Sequence, residues 1–215
     1  MSLALLDWRR QVAALYASVR SASSPAEGHA RWRAGRDELF AQHPESPIPA
    51  DRRPGFCGLE YAPYDPALRF CCRLEAAGQP QHWQVMTGTD GLVSFELAGT
   101  VVLSGHGSLA AWWLNGYGGG LFIPFRDPGP RSYGGGRYLI DTVKGADLGG
   151  SFDPRSGDAT LVIDLNFAYN PSCAYDPRWA CPLAPATNRL EVPVVAGEQV
   201  PSHSGERADG TTASH

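Results

Sequence analysis

From residue 56 onward the chain is a succession of short β-branched and aromatic runs, each closed by a turn signal, and this punctuation limits the fold more than any other feature. The runs cover residues 56–61, 68–74, 82–87, 93–97, 100–103, 109–114, 121–125, 137–143, 160–167 and 189–195. Between them stand Tyr64-Asp-Pro-Ala, Thr89-Asp-Gly, Ser104-Gly-His-Gly and Asp153-Pro-Arg-Ser-Gly-Asp. Gly permits positive φ there, Pro fixes φ, and Asp bonds its own backbone. About ten strands so spaced predict a mainly β (α+β) chain, an antiparallel β-sandwich or barrel. No β-helix-β alternation is present, which argues against doubly wound and TIM-barrel architectures.

Before residue 50 the period is helical. Leu5, Trp8, Val12, Leu15, Tyr16 and Val19 recur on one face of a helix over residues 3–20. Ser24-Pro-Ala-Glu27 reads as an N-cap, a proline at the first helical position and a capping-box glutamate. The second helix then runs to about Phe40, shows Trp32, Leu39 and Phe40 to the core, and stops at His43-Pro44. The expected organisation is a helical extension over residues 1–50 packed on the body, a β-rich domain over 51–198, and a disordered tail over 199–215. Both helices are expected to pack on or cap the body.

Composition narrows the partners. The formal net charge is −4 and the β-rich part carries no Lys/Arg cluster, so no nucleic-acid footprint is expected. No stretch approaches the roughly 18 apolar residues of a membrane span, and the first residues lack a secretory pattern. The expected protein has no membrane partner and is cytoplasmic. Its basic residues are nearly all Arg, Lys144 being the sole lysine, and with abundant Ala, Gly and Pro this composition suits a GC-rich bacterial genome.

Cys57, Cys71, Cys72, Cys173 and Cys181 contain no CxxC pair and no zinc-type His spacing, so no metal site is expected. Cys71 and Cys72 fall in a strand-like run and should face opposite sides. Cys173 and Cys181, with seven residues between them, form the one pair to test as a disulfide, a redox pair or half of a metal site. Two glycine runs, Tyr117-Gly-Gly-Gly120 and Tyr133-Gly-Gly-Gly136, each precede a strand rather than a helix. That favours tight backbone approach over a phosphate cradle.

The stretch from Asp164 to Pro185 is the candidate site. A strand feeds a loop rich in Asn, Tyr and thiols, pre-bent by prolines 171, 177, 182 and 185. Here a resemblance also emerges. Leu121-Phe-Ile-Pro-Phe-Arg-Asp127, Tyr133-Gly-Gly-Gly-Arg-Tyr-Leu139, Lys144-Gly-Ala-Asp-Leu148, Asp164-Leu-Asn-Phe-Ala-Tyr-Asn-Pro-Ser-Cys-Ala-Tyr-Asp176, Cys181-Pro-Leu-Ala-Pro185 and Asn188-Arg-Leu-Glu-Val192 resemble the signature blocks of the DUF1684 family. His43-Pro44 with Ser46-Pro47, and Phe56-Cys-Gly-Leu-Glu-Tyr61, are similar too. The resemblance implies that Arg137, Tyr138, Asn166, Tyr169, Asn170, Cys173, Tyr175, Cys181 and Asn188 sit in family motifs, and it carries no catalytic roles or cofactor.

Strands 137–143 and 160–167 follow one another, so an antiparallel hairpin is the simplest pairing. It would bring Asp141 near Asp164, and Arg137 near Asn166 and Asn170. The expected ligand site is then Arg137, Tyr138, Asp164, Asn166, Tyr169, Asn170, Cys173 and Tyr175. Arg137 would clamp an anion, the amides would orient it and a tyrosine would add a hydroxyl. The competing expectation pairs Arg137 with Asp164 and uses the Asn side chains to tie down the loop.

Three functions follow. One is a module binding a small organic ligand, an anion included, at a mouth lined by Trp112, Trp113, Tyr117, Tyr138, Tyr169 and Trp179. A second is a hydrolase or isomerase using Asp164 and Tyr169, or Cys173; Asp141 with Asp164 is a further acid–base pair, and His43, His82 and His106 are bases for the thiol. The third is a thiol- or metal-dependent structural loop at Cys173 and Cys181. The first is preferred, and Arg137→Ala should then abolish binding without unfolding the protein. Cofactor and oligomeric state stay open.

Overall fold

A computed structural model describes residues 3–87 and 91–201. The turn expected at residues 89–90 and the tail expected beyond 201 lie outside the described residues. Helices α1 (Leu3–Arg20) and α2 (Pro25–Gln42) precede nine strands: β1 (Arg69–Arg73), β2 (Glu75–Ala76), β3 (His82–Thr87), β4 (Gly91–Leu103), β5 (Gly107–Leu114), β6 (Gly120–Phe125), β7 (Arg137–Asp141), β8 (Gly150–Phe152) and β9 (Ala159–Asp164). They form two antiparallel sheets. One has the order β1-β9-β8; the other runs β2-β4-β5-β6-β7, with β3 also on β4. The two sheets do not close into a barrel.

The N-terminal helices follow their sequence signals. Ser24 Oγ accepts the Glu27 N–H at 3.2 Å, Pro25 opens α2, and the chain turns extended at His43. The Glu27 carboxylate reaches back one residue further than a standard capping box, to the N–H and hydroxyl of Ser23. Tyr16 and Val19 of α1 and Trp32 of α2 are buried together with Ala146, Leu148 and Phe167. The Trp32 indole N–H donates to Tyr16 Oη at 3.1 Å.

The main core lies between the sheets, where Cys72 and Ile163 meet Val101, Leu103, Leu109, Ala111, Ile123 and Phe125. Residues 93–97 and 100–103 are one strand, not two. Leu97 pairs with Trp112 but Gly99 pairs with Ala111, so Ala98 is an extra residue. A bulge of that kind flips the side-chain parity. Phe95 therefore joins Trp112, Phe122 and Tyr138 on one face of the sheet, while Val101 and Leu103 join the main core on the other. Gly99 is required at the bend, because a Cβ there would come within 2.3 Å of Glu75 O.

Two expected strands and one expected pairing are corrected. Residues 56–61 and 189–195 are irregular apart from single bridges at Tyr61 and Arg189. The hairpin between 137–143 and 160–167 is absent: β7 pairs with β6, and β9 lies between β1 and β8. After Asp164 a short 3-10 turn redirects the chain, and contact with β7 shrinks to one bridge between Tyr138 and Tyr169. The two segments thus belong to different sheets. Cys71 and Cys72 do face opposite ways, Cys71 being exposed and Cys72 buried.

His29 is enclosed by the rings of Trp32, Tyr64 and Phe167. Burial, with the nearby Arg33 charge, lowers its pKa from 6.5 to about 4. Between those values the unfolded chain takes up a proton that the folded one refuses, so stability falls as pH drops from 6.5 towards 4, by about 3 kcal/mol in full. Urea unfolding across that window should show a His29→Phe variant losing less stability than wild type, with a slope smaller by about one proton. Equal slopes would contradict a neutral buried His29.

Candidate functional site

Arg137 opens β7 and is buried, with 2% of its side chain exposed. Its Nη2 donates to Asp127 at 2.8 Å and to Val194 O at 3.2 Å; Nη1 donates to the carbonyls of Ala196 and Glu198. The expected ligand clamp is thus occupied by the protein's own carboxy-terminal strap. Its carboxylate partner is Asp127, not Asp164. Asp127 in turn accepts from Gly129 N, Ser132 Oγ and Val194 N. Desolvation weakens the charged form of Arg137, and Asp127 opposes that loss.

The strap carries this order to the candidate loop. Buried Glu198 receives Arg36 of α2 at 2.6 Å and the Asn170 N–H at 3.0 Å through the same oxygen. The Arg36 guanidinium also lies about 5 Å from the rings of Trp32, Phe40 and Tyr169. Asn170 Nδ2 donates to Gln199 O at 2.7 Å. Asn166 Nδ2 donates to Asp65 O and to Asp164 Oδ1, and its Oδ1 accepts from Asp65 N. Asp164 also receives Arg69 at 3.1 Å. Desolvation raises the Asp164 pKa against those hydrogen bonds. Asp141 has a different partner, Lys144 at 3.1 Å, so the two aspartates do not share one hydrogen-bond set. Tyr175 is buried edge-on against Phe40, 5.1 Å between centroids. Asn188 is wholly buried and donates to Ala110 O and Pro124 O, joining β5 to β6.

The aromatic mouth is not formed either. Trp112 and Tyr138 are buried, whereas Trp113 and Tyr117 project from the surface. The rings that do meet run from Trp83 through Phe95 and Phe122 to Tyr138 and Tyr169.

What the fold does bring together is the far end of this aromatic row and the cysteine loop. Tyr138 Oη donates to Pro182 O at 2.7 Å, pinning the loop beside Cys181. Lys144 sits 5.9 Å from the Tyr138 ring, half-exposed and paired with Asp141. Tyr133 Oη donates to Cys173 Sγ at 3.7 Å. Interaction with Cys181 is the largest cause that lowers the Cys173 pKa, to about 6, with Tyr133 adding to it. The converse interaction and burial raise that of Cys181, while burial and donation to sulfur push Tyr133 to about 12. Donation to a sulfur favours its thiolate form. Both cysteines are partly exposed and neither is in a disulfide. Among the described residues no three His, Cys, Asp or Glu side chains come together as a metal-ligand set.

A concavity of about 400 Å³ lies between the helices, lined by Asp7, Gln11, Glu38 and His43. His43 Nδ1 accepts from Glu45 N, leaving Nε2 to face Asp7 at 3.3 Å. It holds no nucleophile.

A family model described as a protein of unknown function (DUF1684) matches residues 54–199. The chain belongs to the DUF1684 family. Helices α1 and α2 lie outside the matched range, yet Arg36 from α2 pairs with Glu198 inside it. The DUF1684 chain is also similar to an uncharacterised protein of Haloarcula marismortui solved by solution NMR, with 33% identity over 78% of this chain and 89% of that one and a TM-score of 0.52. No curated protein matches. No helix among the described residues is long and apolar enough to cross a membrane.

Sequence reasoning missed Asp127, Glu198 and Tyr133 as functional partners. Asp127 and Tyr133 stood in quoted motifs, but only the fold shows that they face Arg137 and Cys173. Removing Arg137 strands a buried carboxylate. Arg137→Met should therefore lower stability by about 3–5 kcal/mol in urea unfolding, reversing the expectation of a folded, binding-deficient variant. A loss under 1 kcal/mol would contradict the internal clamp.

Proposed function

We propose that this DUF1684 protein binds a small organic electrophile beside Tyr133, Tyr138 and Lys144, with the Cys173 thiolate as the group that gives the site its chemistry. The observation carrying this reading is the Tyr133 hydroxyl donating to Cys173 Sγ at 3.7 Å in a partly exposed loop. A thiolate near neutral pH is a soft nucleophile, while the same group as a thiol is weak. Half-exposed Lys144 offers a cation to the rest of the molecule. An anionic ligand would rest on Lys144, since Arg137 is filled. A cytoplasmic site in a bacterium fits this chemistry, because a reducing compartment keeps thiols free.

Hydrolysis or isomerisation with Cys173 as nucleophile is a second reading, favoured by the same lowered pKa. It differs from binding in requiring release and turnover.

The test is the rate of iodoacetamide alkylation of each cysteine against pH, read by peptide mass spectrometry. Cys173 should react with a midpoint near pH 6. A small free thiol alkylated in parallel should follow the ordinary thiol range, about 8.5. Tyr133→Phe and Cys181→Ala should each raise the Cys173 midpoint, the second more, and Cys181→Ser should raise it less than Cys181→Ala. A wild-type Cys173 that titrates with the small free thiol would overturn the reading.

A further inference from the structure

We infer that the large sheet carries a second binding site, for the methylated ammonium group of a small soluble molecule, built by Glu96 of β4 and Trp113 of β5. It is independent of the reactive-thiol reading and goes beyond it.

The site follows from strand register. Glu96 lies directly opposite Trp113 in the β4–β5 pair, and His82 of β3 lies opposite Glu96 on its other side. Directly opposite residues of antiparallel strands point to one face of the sheet, with Cβ atoms about 5 Å apart. Along β5 that face carries Leu109 and Ala111, both buried in the main core, and then Trp113. Trp113 is 47% exposed, so the cover of the core ends before it. On β4 the Ala98 bulge is what puts Glu96 on the same face as Val101 and Leu103.

A concavity of about 290 Å³ opens there, lined by Glu96, Leu97, Ala98 and Trp113. That is the size of a head group rather than of a drug-like molecule. The indole is held at its edge by the glycine turn before β6. A Cβ at Gly119, whose φ is +37°, would come within 3.0 Å of Trp113 Cζ2. Only glycine lets the backbone pass so close, and the ring stays half-exposed beside it. Glu96 is part-buried, and among the described residues its carboxylate has no hydrogen bond and no ion pair, with His82 or any other group.

The lining selects the ligand. An indole face attracts a cation through its ring quadrupole, and a carboxylate beside it adds a full negative charge. Leu97 and Ala98 contribute apolar side chains, and the Ala98 carbonyl already accepts from Ala77 N at 3.4 Å. A primary ammonium group is strongly hydrated and brings three N–H donors, for which this lining has too few acceptors. An ammonium ion whose hydrogens are replaced by methyl groups loses no hydrogen bond on entry and packs its methyls on the indole, Leu97 and Ala98.

The test titrates the isotope-labelled full chain with tetramethylammonium chloride, followed by NMR, beside sodium chloride at equal ionic strength. The expected result is a set of saturable shifts at the Trp113 indole N–H and at the amides of Glu96, Leu97 and Ala98. Methylammonium keeps the charge without the methyl shell and tert-butanol keeps methyls without the charge, so each should bind roughly threefold more weakly or worse. Glu96→Gln and Trp113→Leu should each weaken tetramethylammonium binding by roughly threefold or more, with the amide shifts of the β6–β7 and β1–β9 pairs unchanged as proof of folding. Shifts that sodium chloride reproduces, that do not saturate, or that keep their affinity in either folded variant overturn the site. Equal affinity for methylammonium overturns the methylated ligand. The protein should stay in the supernatant with phosphatidylcholine vesicles; co-sedimentation that Trp113→Leu abolishes overturns the small soluble molecule in favour of a lipid head group.

Discussion

The buried guanidinium of Arg137 is the constraint on which the other parts depend. A cation excluded from water must find a carboxylate and further acceptors, or its burial is strongly unfavourable. Asp127 and the carbonyls of Val194, Ala196 and Glu198 meet that need. Satisfying it forces the carboxy-terminal segment across the start of β7. Glu198 is thereby presented to Arg36 of α2 and to the backbone of Asn170. One desolvated charge therefore ties together the large sheet, the helical pair and the loop that bears the thiols.

This arrangement separates support from chemistry. The groups that looked most like ligand recognition, Arg137, Asn166 and Asn170, spend their hydrogen bonds inside the protein. Partly exposed Cys173 and Cys181 lie further out, on the loop, and Lys144 follows the end of β7. Rigid support of that kind is what holds the Tyr133 hydroxyl against the Cys173 sulfur, since a mobile loop would exchange it for water.

Much of the fold was legible because it is local. Ser24, Pro25 and Glu27 mark the start of α2 with groups that act within one turn, and the strand runs alternate over a few residues. Residues 93–97 and 100–103 looked like two strands because the Ala98 bulge breaks their alternation, and that break is itself a long-range feature set by pairing with β5. The failed hairpin has the same origin. Asp164 through Phe167 turn out of the small sheet because Asp164 caps a 3-10 turn with Asn166, and adjacency in sequence says nothing of that. At the site, the residue types of the 169–185 loop were recognisable, but the partners were not. Asp127 finds Val194 across sixty-seven positions and Tyr133 finds Cys173 across forty. No local period encodes such contacts.

The claim that one internal clamp organises the protein is tested most directly by amide hydrogen exchange in an Asp127→Asn variant. The clamp predicts that the amides of Val194, Glu198 and Asn170 lose protection together, while those pairing β4 with β5 keep theirs. Loss of protection at Val194 alone, or at none of the three, would contradict it.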